Sequence, residues 1–357
     1  MAATRGASNL PTRRGCGAPP AACSTAASAT GGRRAARRRP PSGWIAWSTS
    51  TWRRSDGDAR CVVGTGPRAM RSRLLRLASG AARRLPLGMR LSLYRLGPIT
   101  RLIRSTLTRA APAGVGPVTV AAGDLAGMTL WLDLQVDKDL WLGTYEPEVS
   151  AAIRRFARPG AVAYDLGANV GYTTLLLARA VAPGGRVFAF EPLETNLERL
   201  RRAVARNGLE AVVSVVPCAV GARRGREMFL VHASGGMGRL ESATGRREKF
   251  EASIAVEAVT LDDFVFGQGH PAPSVVKIDL EGGEVESLQG ARRLLRETRP
   301  VLLVELHGPS AAAEVVRLLG SAGYGVHVMS RGYPMLEPDR AGRAPKHIVG
   351  IAGGHAA

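Results

Sequence analysis

The sequence contains few cysteines, few aromatic residues and no long apolar run. Three of its four cysteines precede residue 70, and their spacing matches neither a metal site nor a disulfide framework, so we expect no bound metal. Cys218, the fourth, is interpreted as a small buried hydrophobic residue. No apolar run approaches the roughly 18 residues that predict a membrane-spanning helix, and no secretory signal segment is found. These absences favour a cytoplasmic protein without a membrane span.

Acidic residues are nearly absent from the first third of the chain. Residues 1–110 contain 22 arginines and two acids, Asp56 and Asp58, whereas the whole chain carries a formal net charge of +20. The other 247 residues therefore hold 27 basic and 27 acidic side chains. Because the excess positive charge belongs to the N-terminal end, the rest of the chain gives no electrostatic reason to expect a nucleic-acid partner.

Residues 1–69 are predicted to form a disordered, arginine-rich leader. They are rich in Ala, Arg, Gly, Pro, Ser and Thr, and this composition cannot bury enough apolar surface to offset the entropy of ordering. Met70 begins a more protein-like stretch, so a mis-assigned start codon is one explanation of the leader. A transit peptide, which is also rich in arginine and poor in acids, is the alternative.

Residues 70–115 are predicted to form a basic helical lead-in. Between residues 71 and 109 leucine, isoleucine and arginine are mixed without any acid, and Gly97-Pro98 divides the stretch into two helices. Such a segment can attach to an anionic membrane surface. It can also pack on the domain and leave a solvated basic face, and we expect this second arrangement.

The rest of the chain is organised around one strand, turn and helix start. The stretch V-A-Y-D-L-G-A-N-V-G-Y-T-T at 162–174 ends an apolar strand in Asp165 and places Gly167, Asn169 and Gly171 in a tight turn. Glycine lets the backbone turn sharply and approach a ligand. The spacing differs from the G-x-G-x-x-G of dinucleotide sites. An acid before the turn suits a ligand with an ammonium group, such as S-adenosylmethionine (SAM), although a purely structural turn is the alternative.

The next two strands supply further candidates for a nucleoside site. The strand at 186–190 runs into Glu191, 24 residues after Gly167. An acid at about this distance holds ribose hydroxyls in open α/β sheets. Ala219 follows the third strand, 212–216, where an adenine ring would lie, although a plain strand-to-loop turn explains this residue equally well. The two strand ends together favour a nucleoside site over a structural turn.

Residues 116–357 alternate strands with helices, which predicts an α/β domain with a mostly parallel sheet and helices on both faces. A hairpin precedes this domain, and two longer strands within 226–259 predict an antiparallel insertion. Trp141, Tyr145 and Glu146 could roof a ligand site, but aromatic residues before a helix more often serve packing, which we expect here.

Five motifs in this part of the chain resemble the FkbM family of SAM-dependent methyltransferases. The resemblance implies a class I (Rossmann-like) methyltransferase fold and methyl transfer from SAM, typically to a hydroxyl oxygen of a sugar or secondary metabolite. E-G-G-E stands where the family usually has E-G-A-E, a small departure that should preserve the turn. The motifs are Y-D-L-G-A-N-V-G-Y at 164–172, F-E-P-L-E-T-N at 190–196, V-T-L-D-D-F at 259–264, K-I-D-L-E-G-G-E at 277–284 and V-E-L-H at 304–307.

A second group of polar residues is predicted to carry the chemistry. Lys277, Asp279 and Glu281 alternate along the end of a buried strand, so they share the face that meets the ligand. Asp279 is the predicted general base with Lys277 beside it, and Glu281 and His307 are the alternative bases. A structural ion pair of Lys277 with Asp279 or Glu305 would explain the same residues. A single histidine is also more often a structural residue than a base.

The sequence thus favours a SAM-dependent O-methyltransferase that acts on a small molecule or glycan. A nicotinamide-dependent oxidoreductase on the same sheet is disfavoured, because the third glycine of its motif is absent and Asp165 precedes the turn. An RNA-binding or RNA-modifying protein that uses the arginine-rich arm is disfavoured by the neutral domain and by the lack of an aromatic RNA-binding sheet motif.

Overall fold

A computed structural model describes residues 67–95, 97–232, 237–243, 250–337 and 345–353. Nearly all of the predicted leader lies outside the described residues. The basic lead-in forms three helices rather than the predicted two, because a proline at position 86 interrupts the first of them; a proline ring does not fit a helix interior. The three helices are α1 (Pro67–Arg84), α2 (Leu87–Arg95) and α3 (Gly97–Ala110).

A hairpin and two helices connect the lead-in to the central sheet. Strands β1 (Val115–Thr119) and β2 (Thr129–Asp133) pair antiparallel, as predicted. The short helix α4 (Lys138–Leu142) and the helix α5 (Pro147–Phe156) follow. Pro147 stands in the first turn of α5, where its missing N–H is not needed.

Strands and helices then alternate through the rest of the chain, interrupted once by an insertion of four strands. In chain order the elements are β3 (Val162–Leu166), α6 (Tyr172–Val181), β4 (Arg186–Phe190), α7 (Glu194–Arg206), β5 (Val213–Val216), β6 (Ala219–Val220), β7 (Gly225–His232), β8 (Gly238–Leu240), β9 (Phe250–Val259), β10 (Val275–Ile278), α8 (Glu284–Gln289), α9 (Arg292–Glu297), β11 (Val301–Glu305), α10 (Pro309–Ser321), β12 (Tyr324–Val328) and β13 (His347–Ala352).

Seven of these strands form the central sheet, in the order β12-β13-β11-β10-β3-β4-β5. The pairs from β5 to β11 are parallel, and β13 runs antiparallel to both β11 and β12. This is the predicted class I, Rossmann-like sheet. The strand order reverses between β3 and β10, and such a switch point is where open α/β sheets bind ligands beyond the carboxyl ends of their strands.

The predicted antiparallel insertion forms a second sheet, in the order β6-β9-β7-β8. Strands β7 and β9 pair antiparallel over almost their full length, and β8 continues the sheet from β7. The insertion leaves the central sheet after β5 and returns before β10. The chain therefore enters the insertion at the edge where the carboxyl ends of the parallel strands lie and re-enters the sheet at the opposite edge.

Helices cover both faces of the central sheet, and each face has its own apolar core. Along β3 the side chains alternate, so that Ala163 joins the core under α6, whereas Tyr164 and Leu166 join the core under α8 to α10. The sheet interior is thus buried on both sides. Across the described part of the chain, no helix combines the length and hydropathy that crossing a bilayer would require.

Candidate active site

A glycine turn connects the end of β3 to the start of α6. Gly167 has a φ of +78°, a left-handed conformation that favours glycine. The N–H groups of Gly167 and Ala168 donate to the carbonyl oxygen of Phe190 at 3.1 and 2.9 Å, which ties the turn to the end of β4. A Cβ atom at Gly167 would overlap the carbonyl oxygen of Asp279 on the other side. Only glycine therefore lets this turn fit between the ends of β4 and β10.

Asp165 is fully buried beneath the turn. Its Oδ2 accepts a hydrogen bond from the hydroxyl of Thr174 at 2.6 Å, and its Oδ1 lies 3.7 Å from Nζ of Lys277. Burial raises the pKa of the Asp165 carboxyl, although the Lys277 ammonium opposes the shift. The residue that the sequence suggested for a ligand ammonium thus contacts protein groups, and it orients Lys277 from below.

Glu191 directs its carboxylate at three protein donors just beyond β4. Oε1 accepts hydrogen bonds from the N–H of Leu193 at 3.0 Å and the side-chain amide of Asn196 at 3.3 Å, and Oε2 accepts the N–H of Asn169 at 2.9 Å. Burial raises the pKa of Glu191 to about 7, even though these hydrogen bonds favour the ionised form. A carboxylate has about four acceptor positions, so one position on Oε2 remains for a further donor.

The carboxyl ends of β3, β4 and β10 open into one cleft at the switch point. Its enclosed part has a volume of about 60 Å³. Most of the residues predicted for cofactor and catalysis meet there, although they are far apart in the sequence. The lining includes Gly167, Asn169, Glu191, Ala219, Asp279 and Glu281, together with Arg239 and Leu240 of the insertion.

Two of the predicted cofactor residues support the cleft without lining it. Asp165 lies below the turn, and Gly171, with a φ of +94°, starts α6 where a Cβ atom would lie 2.7 Å from Cδ1 of Leu200. Cys218 does line the cleft and is buried as predicted. Cys218 is also disulfide-bonded, which the cysteine spacing did not predict.

Lys277 is buried at the end of β10 and joins two carboxylates. Its Nζ lies 3.1 Å from Oδ2 of Asp279 and 3.5 Å from the carbonyl oxygen of Gly167. Burial by itself lowers the pKa of Lys277, but Asp279 and Asp165 outweigh burial and raise it above its ordinary value. The ion pair that the sequence left as an alternative therefore exists, and its Asp279 partner faces the cleft.

His307 follows β11 and lies among carboxylates. Its Nε2 is 3.2 Å from Oε1 of Glu305, 3.3 Å from Oε2 of Glu281 and 3.9 Å from Oδ1 of Asp279. Burial lowers the pKa of His307, but hydrogen bonds to Glu284 and Glu305 raise it to about 11. The imidazole is therefore protonated near neutral pH, where it cannot accept a proton from an acceptor molecule.

The sequence of this cleft region matches a known family. Residues 165–326, from the acid before the glycine turn to β12, match the model of the methyltransferase FkbM domain. Over these residues, the chain is similar to the FkbM methyltransferase family. The FkbM domain contains every residue predicted for cofactor binding and catalysis.

Two relatives extend the match beyond single motifs. Hexuronic acid methyltransferase AglP of Haloferax volcanii is 29% identical over 181 residues, which are 50% of this chain and 69% of AglP. The 31-O-demethyl-FK506 methyltransferase FkbM of Streptomyces tacrolimicus is 29% identical over 196 residues, which are 47% of this chain and 74% of that protein. A crystal structure of methyltransferase FkbM from Methylobacillus flagellatus aligns at 18% identity and a TM-score of 0.35, covering 61% of this chain and 54% of that structure.

A charged cluster borders the cleft and draws on segments outside the FkbM domain. His347, the first residue of β13, lies opposite Glu305 in the antiparallel pairing, with its Nε2 3.2 Å from Oε2 of Glu305. Lys346 places its Nζ 2.7 Å from Oε1 of Glu305 and 3.2 Å from Oε1 of Glu146. Sequence reasoning missed these partners, because only the strand pairing brings them together. The sequence suggests Glu146 only as a residue that roofs a ligand site.

Both neighbouring aromatic residues are packed, and the hydroxyl of Tyr145 also hydrogen-bonds to Glu146 of the charged cluster. Trp141 is buried in the core. The ring of Tyr145 contacts that of Tyr172 edge to face, with 5.6 Å between the ring centroids.

Two sets of side chains in this cluster have the chemistry of metal ligands. Among the described residues, Glu146, Glu305 and His347 form one set, and Asp279, Glu305 and His307 form the other, with ligand atoms within 4.8 Å of each other. Burial lowers the pKa of His347, but hydrogen bonds to Glu146 and Glu305 raise it to about 9. Without a metal ion both imidazoles are protonated and Lys346 lies alongside, so a metal ion would have to displace the imidazole protons to be ligated here.

Proposed function

We propose that the FkbM domain binds SAM and transfers a methyl group to a hydroxyl oxygen of a small molecule or glycan. The observation that carries this proposal is the convergence of the Gly167 turn, Glu191 and Asp279 on one cleft at the switch point. The family match supports methyl transfer in general. Our proposal adds the identity of the methyl donor and of the accepting atom to this family-level activity. A cytoplasmic location stays a prediction from the sequence.

The donor groups of the cleft fit SAM. Glu191 keeps an acceptor position on Oε2 that suits a ribose hydroxyl, because hydroxyls donate well to carboxylates. Gly167 exposes backbone that a side chain would otherwise cover. Ala219 contributes a small apolar surface to the same lining, which suits the flat face of an adenine ring. The positions that hold SAM in this proposal are therefore Gly167, Asn169, Glu191 and Ala219, with Asp165 and Gly171 supporting them.

Asp279 is the proposed general base. SAM supplies a methyl group that is already activated as a sulfonium, so the protein has to align the acceptor oxygen and remove its proton. Asp279 lines the cleft, whereas His307 is protonated near neutral pH and cannot take that proton. Lys277 and His307 are the cations on either side of Asp279, and they hold its two oxygens in position. Glu281, which also lines the cleft, is the second candidate.

The names of the relatives support a class of acceptor. One is named for a hexuronic acid and the other for a 31-O-demethyl compound, and the second name specifies an oxygen as the methylated atom. We therefore propose a hydroxyl group on a sugar acid or on a larger secondary metabolite as the acceptor.

The test combines binding with product formation. Calorimetry on the full chain should show SAM binding, and a methyl-labelled SAM assay on a panel of sugar acids and hydroxylated metabolites should yield a labelled ether. A labelled ester would place the methyl group on a carboxylate and would contradict the proposed hydroxyl acceptor. Mass spectrometry after mild alkaline hydrolysis separates the two, because an ether keeps its label and an ester loses it. Binding of a nicotinamide dinucleotide in place of SAM would contradict the proposal.

A further inference from the structure

The three lead-in helices carry a high density of one charge. Residues 67–110 contain eleven arginines and no acidic residue, whereas the chain after residue 110 is electrically balanced. The sequence is compatible with a helical segment that packs on the domain and with one that attaches to an anionic surface. In the structure, one face of these helices packs on the domain and another face is exposed.

One face of the lead-in is packed against the domain. Ala82 of α1 and Leu107 of α3 are buried in the core. Arg90 of α2 donates to the carbonyl oxygen of Leu142 at 2.6 Å, and Arg104 of α3 pairs with Asp139 at 3.2 Å. The expected packing therefore exists, and it holds the helices in a defined orientation.

The opposite face exposes leucine beside arginine. Leu77 of α1 is 70% exposed and Leu102 of α3 is 66% exposed. Arg73 and Arg84 lie four residues before and seven residues after Leu77, so all three share one side of α1. Arg109 follows Leu102 by seven residues and shares its side of α3 in the same way. Apolar side chains between cations are typical of helices that lie on a bilayer surface.

An apolar cavity between α1, α3 and α4 also combines apolar side chains with an arginine. It has a volume of about 190 Å³, and Ala82, Leu85, Leu107 and Leu142 contribute to its lining. Arg90 also lines it, although this side chain is only 9% exposed, and its Nε has no hydrogen-bond partner within the described part of the chain. A buried guanidinium with a free donor at an apolar cavity suits an anionic amphiphile.

We propose that α1 to α3 dock on an anionic lipid bilayer, with the arginines at the headgroups and Leu77 and Leu102 inserted between them. Each arginine near such a surface adds to the attraction, and the leucines add apolar burial. The preceding segment, residues 1–66, holds eleven arginines and two acids, so its like charge disfavours it as the cover of this face. A nucleic acid would match the arginines, but it gives no reason for the exposed leucines.

The test is sedimentation of the full chain with vesicles. Binding is expected with vesicles that contain about 30 mol% phosphatidylserine and not with phosphatidylcholine alone, and it should weaken as the salt concentration rises. Leu77→Ser combined with Leu102→Ser should reduce binding at least about five-fold. Met228→Ser with Ile254→Ser is the matched control, because both residues are exposed apolar side chains of the insertion, 41% and 39% exposed.

Substitutions of arginine test the electrostatic contribution to membrane binding. Arg73→Glu with Arg84→Glu should reduce binding at least about ten-fold, whereas Arg292→Glu with Arg296→Glu in α9 changes the net charge equally and should have little effect. All variants should keep the far-ultraviolet circular dichroism of the native chain. Equal binding to neutral vesicles, or no binding to anionic ones, would overturn the proposal. An arginine effect without a leucine effect would also overturn it and would indicate nucleic acid instead.

Discussion

Nδ1 of His307 lies 2.9 Å from Oε1 of Glu284, a carboxylate that is fully buried. The same Oε1 accepts the N–H groups of Leu280 and Gly282 at 3.3 and 3.0 Å, so the turn after β10 fixes its position. The Glu284 carboxylate therefore orients the imidazole and favours its protonated form. Together with the hydrogen bond to Glu305, this contact turns a histidine that resembled a candidate base into a cation of the site.

The protonation of His307 predicts a pH dependence of stability. The pKa rises from about 6.5 in the unfolded chain to about 11 in the folded one. The stabilisation is fully present below pH 6.5 and is lost as the pH rises toward 11. The native chain and His307→Gln differ in their free energy of unfolding. This difference should shrink by up to about 1.4 kcal/mol for each pH unit in this window.

Denaturant unfolding at several pH values checks this prediction, with His270→Gln as the control. Burial lowers the pKa of His270, so its contribution changes below pH 6.5 and stays constant above it. A constant difference between the native chain and His307→Gln from pH 6.5 to 10 would show that His307 is not protonated in the fold.

Asp279→Asn should lower turnover at least about 100-fold, because removal of a general base costs about 10²–10⁴-fold. SAM affinity should stay within a few-fold, since the amide keeps the shape of the carboxylate. Steady-state kinetics and calorimetry measure the two effects separately, and Asp263→Asn, outside the cleft, is the control. Loss of SAM binding would make Asp279 a cofactor or structural residue. Normal turnover would shift the search to Glu281.

Glu191 should make SAM binding depend on pH near neutrality. Burial raises its pKa to about 7, and the ionised carboxylate is the better acceptor for a ribose hydroxyl, so affinity should increase as the pH rises from 6 to 8. Glu191→Ala should weaken binding roughly ten- to a hundred-fold, because a hydrogen bond to a charged group contributes about 1.5–3 kcal/mol.

Calorimetry across this pH range tests the assignment, with Glu191→Gln as the variant that cannot ionise. Its SAM affinity should not change with pH. Glu194→Ala, an exposed acid three residues later, is a control for general charge effects. Unchanged SAM affinity in Glu191→Ala would refute the ribose assignment.

Gly167→Ala should abolish SAM binding and lower the melting temperature, because its Cβ atom would overlap the carbonyl oxygen of Asp279. Gly160→Ala is the matched control, since Gly160 has a similar φ of +81° and no atom within 4 Å of the added Cβ. The control should lose only about 1–2 kcal/mol of stability, which is the cost of the left-handed conformation for alanine. Similar losses in the two variants, measured by thermal melting, would show that backbone strain and not the close approach makes Gly167 necessary.

The alternation of strands and helices and the position of the glycine turn were predicted correctly from local sequence patterns. Both depend on local patterns: apolar runs that end in Asp165 and Glu191, and glycines whose spacing allows only a tight turn. The order of these motifs was also enough to indicate the family. Short-range periodicity predicted the antiparallel insertion as well, since β7 and β9 are long strands that pair antiparallel with each other.

The tertiary structure alone decided which polar groups share a site. Lys346 and Glu146 are 200 residues apart in the sequence, and His347 meets Glu305 only because β13 inserts antiparallel between β11 and β12. It also decided that Asp165 is buried and that His307 is a cation, because these states depend on neighbours from other strands. Local patterns carry no information about such neighbours. Burial and long-range pairing set the charge of a side chain, and both arise only when the sheet is assembled.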